Sequence, residues 1–65
     1  MIKYAVDIFD GTSGESAEFS NLEDAKKRFL QEKEYREANG LHYELIELYS
    51  FCDETGEKIE TIIEA

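Results

Sequence analysis

Residues 20–40 read SNLEDAKKRFLQEKEYREANG, and this stretch predicts the single helix around which the other elements arrange. Ser20 and Glu23 have capping-box spacing, in which the hydroxyl accepts from the Glu23 N–H and the carboxylate reaches back. The pair Asn39-Gly40 is a stop signal, because glycine readily adopts the left-handed conformation that closes a helix. We therefore predict a helix over residues 21–39.

The apolar face of this helix occupies only its first half. Leu22, Ala25 and Phe29 follow the i, i+3, i+7 spacing of a stripe that faces a core. The next positions on the same face hold Lys33 and Arg36. The first half should therefore pack on a sheet, while the second half either projects or lays its aliphatic stems along the sheet edge.

Two strands are predicted before the helix. Residues Ile2–Phe9 alternate between apolar and mixed positions, with Val6 and Ile8 on the side expected to face the core. The segment 10–14 contains two glycines and small polar residues, which is turn chemistry. Residues Glu15–Phe19 then form a short strand, whose length is typical of a sheet edge.

Two more strands are predicted after the helix. Residues Leu41–Cys52 form the longest apolar run, and both of its faces are partly apolar, which is typical of a central strand. We place Ile46 and Leu48 toward the helix, because this register leaves Glu47 in solvent. A turn at Asp53–Gly56 leads into the last strand, Lys58–Glu64.

These elements predict one α+β domain spanning residues 1–65, in the order β-β-α-β-β. The helix crosses the sheet, so the third strand runs parallel to the second and antiparallel to the first. Placing the third strand beside the first gives a four-stranded antiparallel sheet in the order 2-1-3-4, with the helix on one face. The predicted core contains Val6, Ile8, Leu22 and Phe29.

The charge of the chain is strongly acidic and unevenly distributed. It has 16 acidic and seven basic side chains, for a formal net charge of −9. Residues 21–39 contain five of each, so the strands and turns hold 11 acids and two bases. Direct binding to nucleic acid is disfavoured, because phosphate contacts need lysine or arginine.

Several other classes of function have little support in the sequence. There is one cysteine, Cys52, and one histidine, His42, so neither a disulfide nor a cysteine-based zinc site is expected. We predict no catalytic residues, no metal and no cofactor. The chain shows no signal peptide and no membrane-spanning run, and a lone thiol fits a reducing compartment, so the cytoplasm is the expected location.

The face of the sheet without a helix is the candidate binding surface. It is predicted to combine aromatic and acidic side chains: Asp7, Phe9, Tyr43, Glu47, Tyr49, Phe51, Glu60 and Ile62. A large apolar patch with a polar rim is typical of an interaction site. The alternative is that the aromatic rings only shield the strands, since apolar atoms make up over half of any protein surface.

The sequence favours a non-enzymatic module that binds another protein through this acidic and aromatic face. In one version, the carboxylates imitate nucleic-acid phosphates and occupy a basic groove of a nucleic-acid-binding protein. In the other, the face forms a homodimer and the acidity serves solubility. A small enzyme or metal-binding domain is the weakest hypothesis. Small size and acidity are similar to those of many phage and mobile-element proteins, but no motif identifies a family.

Overall fold

Five elements make up the computed structural model, which describes every residue from Met1 to Ala65. They are β1 (Ile2–Phe9), β2 (Gly14–Phe19), α1 (Leu22–Ala38), β3 (Leu45–Cys52) and β4 (Lys58–Glu64). The strands form one sheet in the order β2-β1-β3-β4, and all neighbouring pairs are antiparallel. The predicted α+β architecture and strand order are therefore confirmed.

The start of the third strand was predicted four residues too early. Residues 41–44 form the connection from the helix, and β3 begins at Leu45. Gly40 adopts a φ of 64° at the helix end, and the Leu41 N–H donates to the Arg36 carbonyl at 2.9 Å. The Glu44 N–H then donates to the Phe9 carbonyl at 2.8 Å. Residues 41–44 return the chain from the helix end to the sheet, so regular pairing with β1 begins only at Leu45.

The N-terminal cap of α1 is Asn21 rather than Ser20. The Asn21 side-chain oxygen accepts from the Asp24 N–H at 2.9 Å, and its amide donates to the Asp24 carboxylate at 3.0 Å. Asn21 has the extended backbone usual for a cap residue. The two residues thus bond reciprocally as in a capping box one position later, except that the Asp24 carboxylate accepts from the Asn21 side-chain amide rather than from its backbone N–H.

The core lies between α1 and the inner side of the sheet. Six buried residues form it: Val6, Ile8, Ala25, Phe29, Ile46 and Leu48. Leu22 is only partly buried and packs against this cluster from its edge. Full burial of Ile46 and Leu48 confirms the register chosen for β3, which leaves Tyr49 and Phe51 on the opposite side.

The helix covers the sheet unevenly. Its Cα atoms come within 8 Å of β1, β3 and β2, but of no residue in β4. Two irregularities in the pairing of β3 with β4 lie between Leu48 and Tyr49 and between Ser50 and Phe51. The β4 edge is therefore both the least covered and the least regular part of the sheet. The helix itself lacks the length and apolar character needed to cross a bilayer.

Candidate interaction face

The side of the sheet that faces away from α1 is called the open face below. Five of the eight predicted surface residues lie on it: Asp7, Phe9, Glu47, Tyr49 and Phe51. Strand register brings them together, because Asp7 is directly opposite Glu47 and Ala5 is directly opposite Tyr49. The open face is therefore built from the two central strands, as the alternating pattern predicted.

Tyr43 is not part of the open face, contrary to the prediction. It precedes β3 and packs against the core cluster on the helix side. Its hydroxyl donates to Glu37 Oε1 at 3.2 Å, and burial together with this carboxylate raises the pKa of Tyr43. The prediction was wrong because residues 41–44 do not continue the alternation of the strand.

Glu60 and Ile62 were also predicted on the open face and lie on the other side. Glu60 pairs with Ser50, which is buried toward the helix, and Ile62 packs against the core cluster. Each irregularity in the β3–β4 pairing gives β4 one extra residue. The extra residues change the parity of the strand, so simple alternation from Lys58 assigns Glu60 and Ile62 to the wrong side.

The same register adds residues that the predicted surface omitted. Glu64 pairs with Glu47, Thr61 with Tyr49, Lys58 with Phe51, and Glu18 with Ala5. The position of Glu18 follows from the alternation of β2, since Ala17 and Phe19 were already expected to face inward. Lys58 lies on the side that alternation along β4 assigns to it, whereas the position of Thr61 on the open face depends on the irregular pairing of β4.

A row of carboxylates crosses the open face. Asp7 on β1 is opposite Glu47 on β3, and Glu47 is opposite Glu64 on β4. Neighbouring strands lie about 4.8 Å apart, and like charges directly opposite one another destabilise a sheet. The row is therefore a feature that costs stability rather than one that the fold requires.

Hydrogen bonds compensate part of this repulsion. Glu47 Oε2 accepts from Lys58 Nζ at 2.6 Å and from Thr61 Oγ1 at 2.8 Å. The bond to Lys58 lowers the pKa of Glu47. Asp7 Oδ1 accepts from Ser16 Oγ at 2.6 Å. Glu47 was expected in solvent, but these contacts leave only 13% of its side chain exposed.

Aromatic side chains fill the space beside the carboxylate row. The Tyr49 and Phe51 ring centroids are 6.2 Å apart, and Lys58 Nζ lies 5.0 Å from the Tyr49 centroid. Burial, followed by the negative charge of Asp7, raises the pKa of Tyr49. Phe51 and Ala5 are buried, so the rings shield the strands, whereas Phe9 remains 42% exposed.

The groups best suited to covalent or metal chemistry are dispersed. His42 precedes β3 and Cys52 is its last residue, so nine residues separate them along the chain. A backbone hydrogen bond from Thr55 lowers the pKa of Cys52. No three His, Cys, Asp or Glu side chains converge in an arrangement suited to a metal ion.

Family models, curated proteins and solved structures were all compared with this chain, and none of them matched it. A functional inference therefore depends on the open face itself. Its distinguishing features are a row of opposed carboxylates, a lysine held over a tyrosine ring and one exposed phenylalanine.

Proposed function

We propose that this chain is a non-enzymatic binding module whose open face recognises a basic protein. The observation that carries the proposal is the row Asp7–Glu47–Glu64 across three neighbouring strands. Lys58 offsets the charge of the central Glu47, but Asp7 and Glu64 have no basic partner, so the repulsion that remains across the row reduces the stability of the free protein. A partner that supplies lysine or arginine would remove this repulsion on binding, so the arrangement favours association with a cationic surface.

A contact within the chain illustrates how such a surface could be recognised. Lys58 binds the Glu47 carboxylate while its amino group lies over the Tyr49 ring. A cation held by a carboxylate and an aromatic face gains both ion pairing and cation–π attraction. Asp7, Glu18 and Glu64 on the same face retain negative charge for cations of the partner.

The partner that best fits this face is a nucleic-acid-binding protein, with the carboxylates taking the place of phosphates. Neighbouring strands are about 4.8 Å apart and same-side residues along a strand are about 6.6–7 Å apart, a spacing that permits phosphate-like separations between carboxylates. A basic groove offers many cations at comparable spacing, and the net charge of −9 of the whole chain supplies long-range attraction. We expect this interaction in the cytoplasm, in keeping with the lone thiol of Cys52.

The open face is less suited to forming a homodimer. Its largest rings are covered, because Phe51 is buried and Tyr49 is half-buried, and Phe9 is the exposed aromatic that remains. Two such faces would also bring two carboxylate rows together. Apolar contact would have to exceed that repulsion, so we favour a basic partner for this surface.

Binding of an arginine-rich peptide, followed by NMR chemical shifts, tests the proposal. We expect shifts concentrated at Asp7, Glu18, Tyr49 and Glu64, with affinity that falls as salt is raised, since the Debye length shrinks from about 10 Å at 0.1 M to 3 Å at 1 M. The double variant Asp7→Asn/Glu64→Gln should weaken binding while keeping the Lys58–Glu47 pair.

A matched control changes the same number of charges on the helix. Glu23→Gln/Glu34→Gln removes two exposed carboxylates from α1 and should weaken binding clearly less. Displacement of nucleic acid from a basic nucleic-acid-binding protein then tests the phosphate analogy. Equal losses in the two double variants, or shifts centred away from the open face, would contradict a specific role for this surface.

A further inference from the structure

The outer edge of β4 is a second surface that the proposed function does not use. β4 pairs with β3 alone, so the backbone groups along its other side have no partner strand. The helix does not reach β4, and this leaves a shallow apolar groove between the helix start and the strand. Its lining includes Ile2, Tyr4, Leu22, Ile59 and Ile62.

Two of the isoleucine side chains that line this groove are more than half exposed. Ile59 is 54% exposed and Ile2 is 52% exposed. A chain of 65 residues has a small core, and oligomerisation is one of the usual ways to add burial. An unpaired strand edge beside an apolar groove is a ready template for pairing with another strand.

The side-chain pattern of β4 selects the partner strand. Lys58, Thr61 and Glu64 point to the open face, while Ile59, Glu60, Ile62 and Ile63 lie on the helix side. Because of the two extra residues, the pattern is symmetric about Thr61: in each direction two residues lie on the helix side and the third lies on the open face. A regular strand alternates strictly and would match it poorly. A second copy of β4, running antiparallel, places every residue opposite one on the same side.

Charge agrees with this register. With the two copies of Thr61 opposite each other, Lys58 lies opposite the partner's Glu64, and the symmetric pair repeats this contact. Ile59 lies opposite the partner's Ile63, and Glu60 lies opposite the partner's Ile62. Shifting the register by two residues in either direction instead places Glu60 opposite the partner's Glu60 or Glu64, and like charges in that position are unfavourable.

We propose that this chain forms a two-fold symmetric dimer through β4, with Thr61 on the axis. The two sheets join into one of eight strands, both helices lie on the same side, and the two apolar grooves meet between them. This interface uses Lys58 and Glu64 at the border of the open face and leaves Asp7 and Glu18 free. It responds to salt in the opposite direction to binding of a basic partner. Each copy has a charge of −9, so screening should tighten the dimer.

Sedimentation equilibrium over a range of concentrations tests the dimer. Ile59→Lys should raise the dimer dissociation constant about tenfold or more, because it removes two apolar contacts and places a lysine at each end of the interface. Leu30→Lys is the matched control, since Leu30 is also 54% exposed but lies on the helix. A wild-type protein that stays monomeric up to millimolar concentration, or equal effects of the two variants, would overturn the proposal.

Cysteine cross-linking tests the register independently of stability. In a Cys52→Ser background, Thr61→Cys should form a disulfide-linked dimer, because directly opposite residues in an antiparallel pair are within disulfide range. Lys58→Cys is the control, since the two copies of residue 58 would lie about 20 Å apart. Equal cross-linking at both positions, or none at residue 61 in a sample that sediments as a dimer, would exclude this register.

Discussion

Lys58 is the lysine of the open face that pairs with a carboxylate of the row. It donates to Glu47 at 2.6 Å and lies over the Tyr49 ring, so it neutralises the central carboxylate of the row. The extra residues of β4 place Lys58 opposite Phe51, from where its side chain reaches Glu47. The irregular strand β4 therefore supplies the lysine that offsets the negative charge of Glu47.

Lys58→Met should reduce the free energy of unfolding by about 1 kcal/mol at pH 7, since the contact is partly exposed. The pKa of Glu47 is lowered in the folded protein from its ordinary value of 4.5, so the contact stabilises the fold fully above about pH 4.5. Its contribution is lost as the pH falls through the lower, folded-state pKa. Urea unfolding at pH 7 and pH 3 measures this difference.

The control for that measurement is Lys27→Met, which removes an exposed lysine from the helix. The gap in stability between the two variants should close as the pH falls. A gap that persists at pH 3 would mean that the Lys58 ammonium stabilises the fold through the Tyr49 ring rather than through Glu47.

Phe29 is the largest side chain that the helix contributes to the core, and it is 2% exposed. Phe29→Ala should cost about 3–5 kcal/mol, through lost burial and the cavity left behind. That is a large part of the stability of a domain of this size, so thermal unfolding monitored by circular dichroism should show partial or complete loss of structure. Tyr35→Ala, at an exposed position of the same helix, should change stability by less than about 0.5 kcal/mol.

Among the elements, α1 shows how its start is chosen between two adjacent polar residues. Ser20 and Asn21 are both good cap residues by type, and each has an acidic residue three positions later. In the structure Asn21 caps the helix, and Leu22, the first helical residue, packs at the edge of the core. Packing of Leu22 and Ala25 against the sheet fixes the rotation of the helix and with it the residue at which the helix begins.

Asn21→Ala should therefore destabilise the protein by about 1 kcal/mol, because the Asp24 N–H loses its side-chain acceptor. Ser20→Ala should be close to neutral. Chemical denaturation of the two variants compares them directly. A larger loss of stability in Ser20→Ala than in Asn21→Ala would indicate that Ser20 caps the helix, as the sequence predicted.

For the molecule as a whole, the dominant property is self-repulsion outside the helix. The strands and turns hold 11 acids and two bases, and the open face concentrates several of them in one row. Net charge far from zero keeps a protein soluble but destabilises its compact state. The same charge that would attract a basic partner thus weakens the free protein.

The melting temperature should rise when NaCl is increased from about 0.01 M to 0.15 M, because screening reduces this repulsion. The measurement should use dilute protein, so that association through β4 does not contribute. Asp7→Asn/Glu64→Gln should show a smaller rise than Glu23→Gln/Glu34→Gln, which leaves the carboxylate row intact. A melting temperature that is independent of salt would indicate that the open-face charges are already compensated in the free protein.

Local chemistry was sufficient to predict the order of the elements and the core positions of Val6, Ile8 and Phe29, and the rules for connecting strands then led to the order 2-1-3-4. Alternation in β1, the apolar stripe at the start of α1 and the turns at 10–14 and 53–56 each depend on residues that are close together in the chain. They can therefore be identified from the sequence. The same alternation placed Asp7, Phe9, Glu47, Tyr49 and Phe51 on one face of the sheet.

Tertiary packing decided the features that depend on where two elements meet. Tyr43 lies on the helix side rather than on the open face, because residues 41–44 return the chain from the helix to the sheet. Glu60 and Ile62 lie on the helix side because β4 pairs irregularly with β3. Alternation assumes that successive side chains of a strand point to opposite faces. An extra residue interrupts this alternation and shifts the pairing with the neighbouring strand by one residue. The position of Lys58 beside Glu47 and Tyr49 follows from that shift, which arises from a contact between strands rather than from the residues of either one.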